Sequence, residues 1–144
     1  MATASLPAQG ILHNRRYYQD LTAVTTTSTS AVVITGAGVA ITPNSSGYII
    51  ADAAVRASND TLTDGVVVSL YSGDGPGVIT NLLDSETYTQ EGLAGNEHTF
   101  HLHYESYEPI GTAVYYSLAF NAVTGGTASA KVDKLAVAEY PDFA

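Results

Sequence analysis

The stretch T-A-V-Y-Y-S-L-A-F-N, residues 112–121, is the clearest strand signal in the chain. Its alternate residues form an apolar set: Val114, Tyr116, Leu118 and Phe120. A period of two is that of a β-strand with one buried face. The pair Gly125-Gly126 follows and turns the chain. The segment therefore predicts an amphipathic strand in a β-sheet protein.

The same pattern extends outward along the chain. Residues 48–57 alternate, and the expected core face is Ile49, Ala51, Ala53, Val55 and Ala57. Further strands are predicted at residues 31–35, 39–42, 66–72, around Tyr88, 97–104 and 127–140, with Gly and Pro clusters between them. No segment has the 3.6-residue period of an amphipathic helix. We therefore predict an all-β, jelly-roll-like β-sandwich of about eight antiparallel strands. The absence of Trp and Cys removes the hallmark of the immunoglobulin alternative.

The first 29 residues read differently from the rest. They contain Pro7, Gly10 and a Thr/Ser-rich run, residues 25–30. We expect residues 1–29 to form an extended N-terminal arm and residues 30–144 to form the sandwich; a frayed terminus is the alternative. The arm would dock on a partner through a mixed basic and aromatic cluster, which consists of Arg15, Arg16, Tyr17 and Tyr18.

Composition excludes several classes of function. The chain has 144 residues, the size of one domain. Its net charge is −9, so it has no basic stripe with which to bind nucleic acid or an anionic membrane. Charged residues make up only 13% of the chain, below the roughly 25% that is typical. This suits a surface covered by neighbours in an assembly, and equally a secreted or extracellular surface or a small neutral β-domain. No apolar run is long enough to span a membrane, and the N-terminus does not read as a secretory signal.

Signals for catalysis are weak. The chain has no cysteine and no Gly-x-Ser-x-Gly elbow. The Gly-rich stretch at residues 73–77 lacks the Gly-Lys-[Ser/Thr] ending of a phosphate-binding loop. We therefore expect no enzymatic activity and no cofactor.

Two places offer metal ligands, and both have a simpler interpretation. On a strand, His101 and His103 point to one side, and three such pairs around a trimer axis could bind one transition metal. The alternative, a polar outward strand face, is favoured. Asp60 and Asp64 share a loop with Asn59 and offer oxygens to Ca²⁺, but a solvated turn is favoured there.

Charged residues also mark one face of the strand at residues 48–57. Asp52 and Arg56 lie on this face, about 13 Å apart at strand rise, so they cannot pair with each other. We expect each to have another partner, for example across a subunit interface.

The order of turns and strands resembles a known group of proteins. The residues that carry the resemblance form four runs: Thr35-Gly36-x-Gly38-x-x-Ile41-Thr42-Pro43-x-Ser45-Ser46-Gly47, Ala57-Ser58-Asn59-Asp60-Thr61-x-x-Asp64-Gly65-Val66-x-Val68-x-Leu70-Tyr71, Gly111-Thr112-Ala113-Val114-Tyr115-Tyr116 and Gly125-Gly126-Thr127-Ala128-Ser129. Over roughly residues 30–140 the chain is similar to small β-sandwich domains of phage and related virion proteins, of the tumour-necrosis-factor/C1q-like jelly-roll type. That group includes head decoration proteins, fibre heads and tail appendages, which commonly trimerise.

The resemblance implies a virion structural protein on the virion surface, made in the host cytoplasm. We expect a capsid decoration or cement protein that forms a homotrimer and binds the major capsid protein or another virion protein. A receptor-binding head of a fibre or tail appendage, with residues 73–96 touching a host glycan or protein, is the alternative in the same setting. A carbohydrate-binding module is the alternative from another class; it predicts a flat row of exposed aromatic rings.

Overall fold

The computed structural model describes residues 14–61, 64–89 and 95–140. These residues form eight strands: β1 (Arg15–Thr26), β2 (Val32–Ile41), β3 (Tyr48–Asn59), β4 (Gly65–Gly73), β5 (Asn81–Thr89), β6 (His98–Tyr107), β7 (Val114–Ala122) and β8 (Ala128–Tyr140). Over these ranges there is no helix that is long and apolar enough to cross a membrane.

The strands form two four-stranded sheets with jelly-roll topology. Sheet I has the order β1-β8-β3-β6, and sheet II has the order β2-β7-β4-β5. All the ladders are antiparallel, and the pairs are nested: β4 with β5, β3 with β6, β2 with β7 and β1 with β8. Such nesting is that of one long hairpin rolled into two packed sheets. The predicted all-β jelly-roll sandwich of about eight antiparallel strands is confirmed.

The core lies between the sheets and follows the alternation of the sequence. On β3 the predicted core face is buried at every position: Ile49, Ala51, Ala53, Val55 and Ala57 are at most 3% exposed. Tyr116, Leu118 and Phe120 of β7 belong to the same buried cluster, as do Phe100 and Leu102 of β6. Bulky side chains from the other strands therefore accompany a β3 face that is rich in alanine.

Strand β2 corrects one prediction. The runs at residues 31–35 and 39–42 were expected to be separate strands, divided by glycines, but they form one strand. The ladder with β7 shifts register between Val33 and Gly38, and Gly36 lies in this bulge with φ of 77°. A Cβ atom at Gly36 would lie 3.2 Å from the hydroxyl oxygen of Tyr18. Glycine thus lets the strand bulge here and pass close to β1.

The N-terminal segment corrects the predicted domain boundary. Residues 15–26 were expected to belong to an arm, but they form the edge strand β1 of sheet I, with register from Arg15 opposite Ala138 to Thr26 opposite Ala128. Backbone pairing with β8 holds this segment, although most of its side chains are exposed. The sandwich therefore begins well before residue 30. The part of the predicted arm at residues 1–13 lies outside the described residues.

A buried carboxylate ties β1 and the β2–β3 turn to the end of β8. Glu139 is 4% exposed. Its Oε1 accepts hydrogen bonds from Asn14 Nδ2 (2.6 Å) and the Asn44 amide (2.8 Å). Its Oε2 accepts from the amides of Ser45 (3.0 Å) and Gly47 (2.7 Å). Burial raises the pKa of Glu139, but these four donors outweigh burial and lower the pKa to about 2.

Candidate functional site

Among the described residues, the outer face of sheet I combines exposed tyrosines with a histidine that lies between two carboxylates. Its side chains alternate with the core residues of β3, so Tyr48, Ile50, Asp52, Ala54 and Arg56 point outward. The ladders place their neighbours on β8 and β6: Asp52 lies opposite Ala136 and His103, and Ile50 lies opposite Ala138 and Glu105. We call this surface the outer face of sheet I.

Three tyrosines cross this face at one end. Tyr48 lies opposite Tyr107 on β6 and opposite Tyr140 on β8. The ring centroids of Tyr48 and Tyr107 are 5.0 Å apart at an interplanar angle of 25°, and those of Tyr48 and Tyr140 are 6.4 Å apart at 56°. Tyr107 is 75% exposed and Tyr140 is 44% exposed. This tyrosine row thus presents aromatic area and hydroxyl groups to the solvent.

A histidine between two carboxylates adjoins the tyrosine row. His103 Nδ1 is 2.5 Å from Asp52 Oδ1, and His103 Nε2 is 2.6 Å from Glu105 Oε2. The hydroxyl of Tyr48 donates to the other oxygen of Glu105. The hydrogen bonds to Asp52 and then to Glu105 raise the pKa of His103, because they favour the form in which both ring nitrogens carry a proton. We call His103, Asp52 and Glu105 the histidine cluster.

The predicted metal site involves His103, which belongs to the histidine cluster. Both ring nitrogens of His103 face carboxylates, so the geometry within one chain does not pair His103 with His101 as ligands. In the part of the chain that the structure describes, no group of three or more His, Cys, Asp or Glu residues is placed to hold a metal ion. An axial site made by His101 and His103 of several subunits stays a prediction.

Arg56 and Lys131 of this face are paired within the chain. Arg56 Nε donates to both carboxylate oxygens of Asp133 at 3.0 Å, and Arg56 Nη2 lies 2.9 Å from Asp133 Oδ1. Lys131 Nζ lies 3.2 Å from Glu97 Oε2. Asp52 and Arg56 were expected to pair with other residues and not with each other. Their partners, His103 and Asp133, lie in the same chain. These pairs neutralise the charges of Arg56 and Lys131 locally.

The predicted docking residues of the arm divide between the two sides of β1. Arg15 lies opposite Ala138 and Tyr17 opposite Ala136, so both belong to the outer face of sheet I. Tyr17 is 59% exposed, and its hydroxyl donates to the Asp133 carbonyl at 3.5 Å. Arg16 and Tyr18 point to the other side, where Tyr18 packs against the core. Two of the four residues therefore lie on the candidate face, and docking through them stays a prediction.

Asp60 and Asp64, which were considered as calcium ligands, accept hydrogen bonds from other residues of the chain. Asp60 Oδ1 accepts from the amide of Thr127 at 2.8 Å. Asp64 accepts from the amides of Gly65 (2.7 Å) and Thr124 (3.0 Å) and from the Thr124 hydroxyl (3.0 Å). The backbone hydrogen bonds from Thr127 and Thr124 lower the pKa values of Asp60 and Asp64, respectively. The two carboxylates thus tie the β3–β4 connection to the β7–β8 connection.

Sequence reasoning missed the tyrosine row and the histidine cluster. Tyr48, Tyr107 and Tyr140 come from three strands far apart in the sequence, so the strand period shows which way each points but not that they meet. The register of sheet I brings them together. The one local signal was the alternation of His101, His103 and Glu105 along β6, which predicted their shared face.

Comparison with known proteins supports the fold and shows no family. No protein-family profile matches the chain, and no curated protein matches it. Eiger TNF from S. frugiperda superposes with a TM-score of 0.58 at 7% identity, over 91% of this chain and 94% of that chain. Latent PorU from Porphyromonas gingivalis gives 0.53 at 15% identity, over 90% of this chain but only 13% of PorU. The VP2 subviral particle of infectious bursal disease virus gives 0.51 at 11% identity, over 89% of this chain and 34% of VP2.

These similarities agree with the fold class. The chain is a jelly-roll β-sandwich of the kind found in a tumour necrosis factor and in a viral VP2 protein. It spans a small fraction of PorU and about a third of VP2. At these identities the likeness concerns the fold alone.

Proposed function

We propose that the chain is a virion structural protein, a capsid decoration or cement protein that docks through the outer face of sheet I. The observation that carries the proposal is this face, which combines a tyrosine row with small residues and with Arg56 paired to Asp133. Protein interfaces are enriched in tyrosine and arginine, and charged residues are depleted at their centres. The fold similarity to VP2 is compatible with this setting.

The proposal includes a partner and a place. The partner is the major capsid protein or another virion protein, and the protein lies on the virion surface. Binding arises from apolar and hydrogen-bonded contact area, with Tyr107 and Tyr140 as exposed anchors, and the protein is not an enzyme. Arg15 and Tyr17 extend the same face along β1.

Binding to particles tests the proposal. Particles assembled from the genome that encodes the chain, but lacking this protein, are mixed with the purified chain and sedimented. We expect saturable binding at a fixed copy number per particle. A variant that lacks residues 2–13 tests the arm separately, since it keeps β1; loss of binding supports the arm, and unchanged binding contradicts it. If the intact chain stays in the supernatant, the decoration role is wrong.

The proposed homotrimer has its own test. We expect light scattering of the purified chain to give the mass of a trimer, with or without a chelator. A trimer that dissociates when metal is removed would assign His101 and His103 as axial ligands. A monomer would contradict the trimer and leave docking on the particle as the only assembly step.

A receptor-binding head is the second candidate, and one observation favours it. A hollow of about 290 Å³ lies where the β4–β5 and β6–β7 connections meet, and polar residues including Asp74, Asn81 and Thr112 line it. Such groups can hydrogen-bond the hydroxyls of a glycan. By contrast, Tyr48 and Tyr107 stack on each other and do not form the flat row expected of a carbohydrate-binding module.

Glycan binding distinguishes these candidates. The chain and an Asp74→Asn/Asn81→Ala variant are tested on a panel of bacterial surface polysaccharides. Binding that this variant loses supports the receptor-binding head. Binding that it keeps but Tyr107→Ala loses supports the carbohydrate-binding module. If no polysaccharide binds, both lose their support.

A further inference from the structure

The outer face of sheet II contains an apolar groove that the proposed function does not use. Its volume is about 310 Å³, and its walls include Val33, Gly38 and Ala40 of β2, Tyr115 and Ser117 of β7, and Pro76 of the β4–β5 connection. The side chains around the groove carry no charge. A groove of this kind on an outer sheet face suits an uncharged, apolar occupant.

Small residues create the groove. Ser117 of β7 and Ala40 of β2 point outward from sheet II and line the groove, and Ser117 is only 1% exposed. The bulge of β2 adds two glycines, Gly36 and Gly38, along one wall.

The chain enters the sandwich beside this groove. Asn14, the first described residue, donates from Nδ2 to the Thr42 carbonyl at 2.9 Å and to Glu139 Oε1 at 2.6 Å. Thr42 lies two residues beyond Ala40, a groove residue, and strand rise makes this separation about 7 Å. Residues 1–13 therefore join the fold next to one end of the groove.

The composition of this segment matches the groove. Residues 1–12, M-A-T-A-S-L-P-A-Q-G-I-L, contain no Asp, Glu, Lys or Arg, although the whole chain has a net charge of −9. Leu6, Ile11 and Leu12 supply large apolar side chains, whereas Pro7 and Gly10 disfavour a continuous helix. Thirteen extended residues span at most about 45 Å, so the segment can reach the groove from Asn14.

We propose that residues 1–13 dock in the groove on sheet II of the same copy, with their apolar side chains against Ala40 and Tyr115. Docking covers apolar surface that the sandwich leaves open on this side. This assignment concerns the purified chain without particles and does not rest on the proposed virion role; residues 1–13 that docked on a particle would have to leave the groove.

The absence of cysteine from the chain permits a direct test. Ala40→Cys places a thiol in the groove, and Ala54→Cys places a matched thiol on the outer face of sheet I; both alanines are half-buried on outward strand positions. The rate of reaction with a water-soluble thiol reagent is measured on the purified full chain, without particles. Each variant is also made with Leu6→Ser, Ile11→Ser and Leu12→Ser, which weaken the segment, and circular dichroism checks the fold.

We expect the three serines to speed the reaction of Ala40→Cys about tenfold. This factor corresponds to a groove that residues 1–13 occupy about nine-tenths of the time in the chain without the serines. The same serines should leave the rate of Ala54→Cys unchanged, and dilution should not change either rate. Equal rates for Ala40→Cys with and without the serines would overturn the proposal. Protection that falls on dilution would also overturn it, because the occupant would then come from another copy.

Discussion

Glu139 and His103 each hold a network of hydrogen-bonded polar groups, but the two networks differ in burial. Glu139 is 4% exposed and accepts four hydrogen bonds from the start of β1 and the β2–β3 turn. The side chain of His103 is 52% exposed, between two carboxylates that are about half exposed. Buried hydrogen bonds to a charge stabilise a fold strongly, whereas exposed ion pairs contribute little. The Glu139 network therefore stabilises the fold, whereas the exposed histidine cluster contributes little to stability and is available for binding.

The largest expected effect is on stability when Glu139 is replaced. Its pKa of about 2, against an ordinary value of 4.5, corresponds to about 3 kcal/mol of stability. Because the pKa is lowered in the folded state, this stability is present above about pH 4.5 and is lost as the pH falls towards about 2. We expect Glu139→Gln to lower the free energy of unfolding at pH 7 by most of that amount, as measured by denaturant titration.

Glu105→Gln is the matched exposed control for Glu139→Gln. The pKa of Glu105 is also lowered, first by the hydrogen bond from Tyr48 and then by that from His103, but its side chain is about half exposed. We expect nearly unchanged stability, because solvent screens the interaction. Equal losses in the two variants would remove the distinction between the networks.

The second effect concerns binding through the tyrosine row. Truncation of an exposed aromatic anchor in an interface weakens binding about tenfold or more. We expect this loss for Tyr107→Ala in sedimentation with particles, with little change in the free energy of unfolding. Leu82→Ala, at a position of β5 in sheet II that is 58% exposed, is the control and should bind normally. Similar losses in both variants would argue against a specific face.

The third effect is the titration of His103. Hydrogen bonds to Asp52 and Glu105 raise its pKa above the ordinary 6.5, so the histidine cluster becomes more negative by one charge when the pH rises through this pKa. We expect Asp52→Asn to move the NMR titration midpoint of His103 down towards 6.5. Stability should change little with this titration, because the side chain is half exposed. An unchanged midpoint would mean that Asp52 does not hold the ring in solution.

The smallest effect is expected at the free edge of β6. The carboxylates of Asp84 and Glu86 on β5 accept hydrogen bonds from the backbone amides of His103 (2.9 Å) and His101 (3.2 Å). Capped edges of this kind resist pairing with other strands. We expect Asp84→Ala/Glu86→Ala to leave the chain folded but to increase its self-association at high concentration, as seen by light scattering. Unchanged association would show that the caps do not protect this edge.

The sequence predicted those parts of the fold that depend on local alternation. The buried face of β3 follows from a period of two in the sequence. On β7 the sequence alternates in the same way, but Ser117 and Ala119 of the other face are buried as well. Strand β1 was missed because its side chains are mostly exposed on both sides, so no alternation marks it. The runs at 31–35 and 39–42 were separated by glycines that in fact form a bulge within β2. About eight strands were predicted and eight are described, but β1 was missed and β2 was predicted as two strands.

The candidate site was less predictable than the fold, because it depends on register. Asp52 and His103 are neighbours only through the pairing of β3 with β6, and nothing local in the sequence specifies that pairing. Glu139 likewise reads as one acidic residue near the end of a strand. Its role arises from amides of the β2–β3 turn, far away along the chain.

Electron cryomicroscopy of particles with the bound protein would show whether the outer face of sheet I is the docking surface. We expect density for the sandwich on the particle surface, with the outer face of sheet I and its tyrosine row against the capsid shell. Density in which this face points to the solvent, or particles without any bound sandwich, would mean that the protein does not dock through this face.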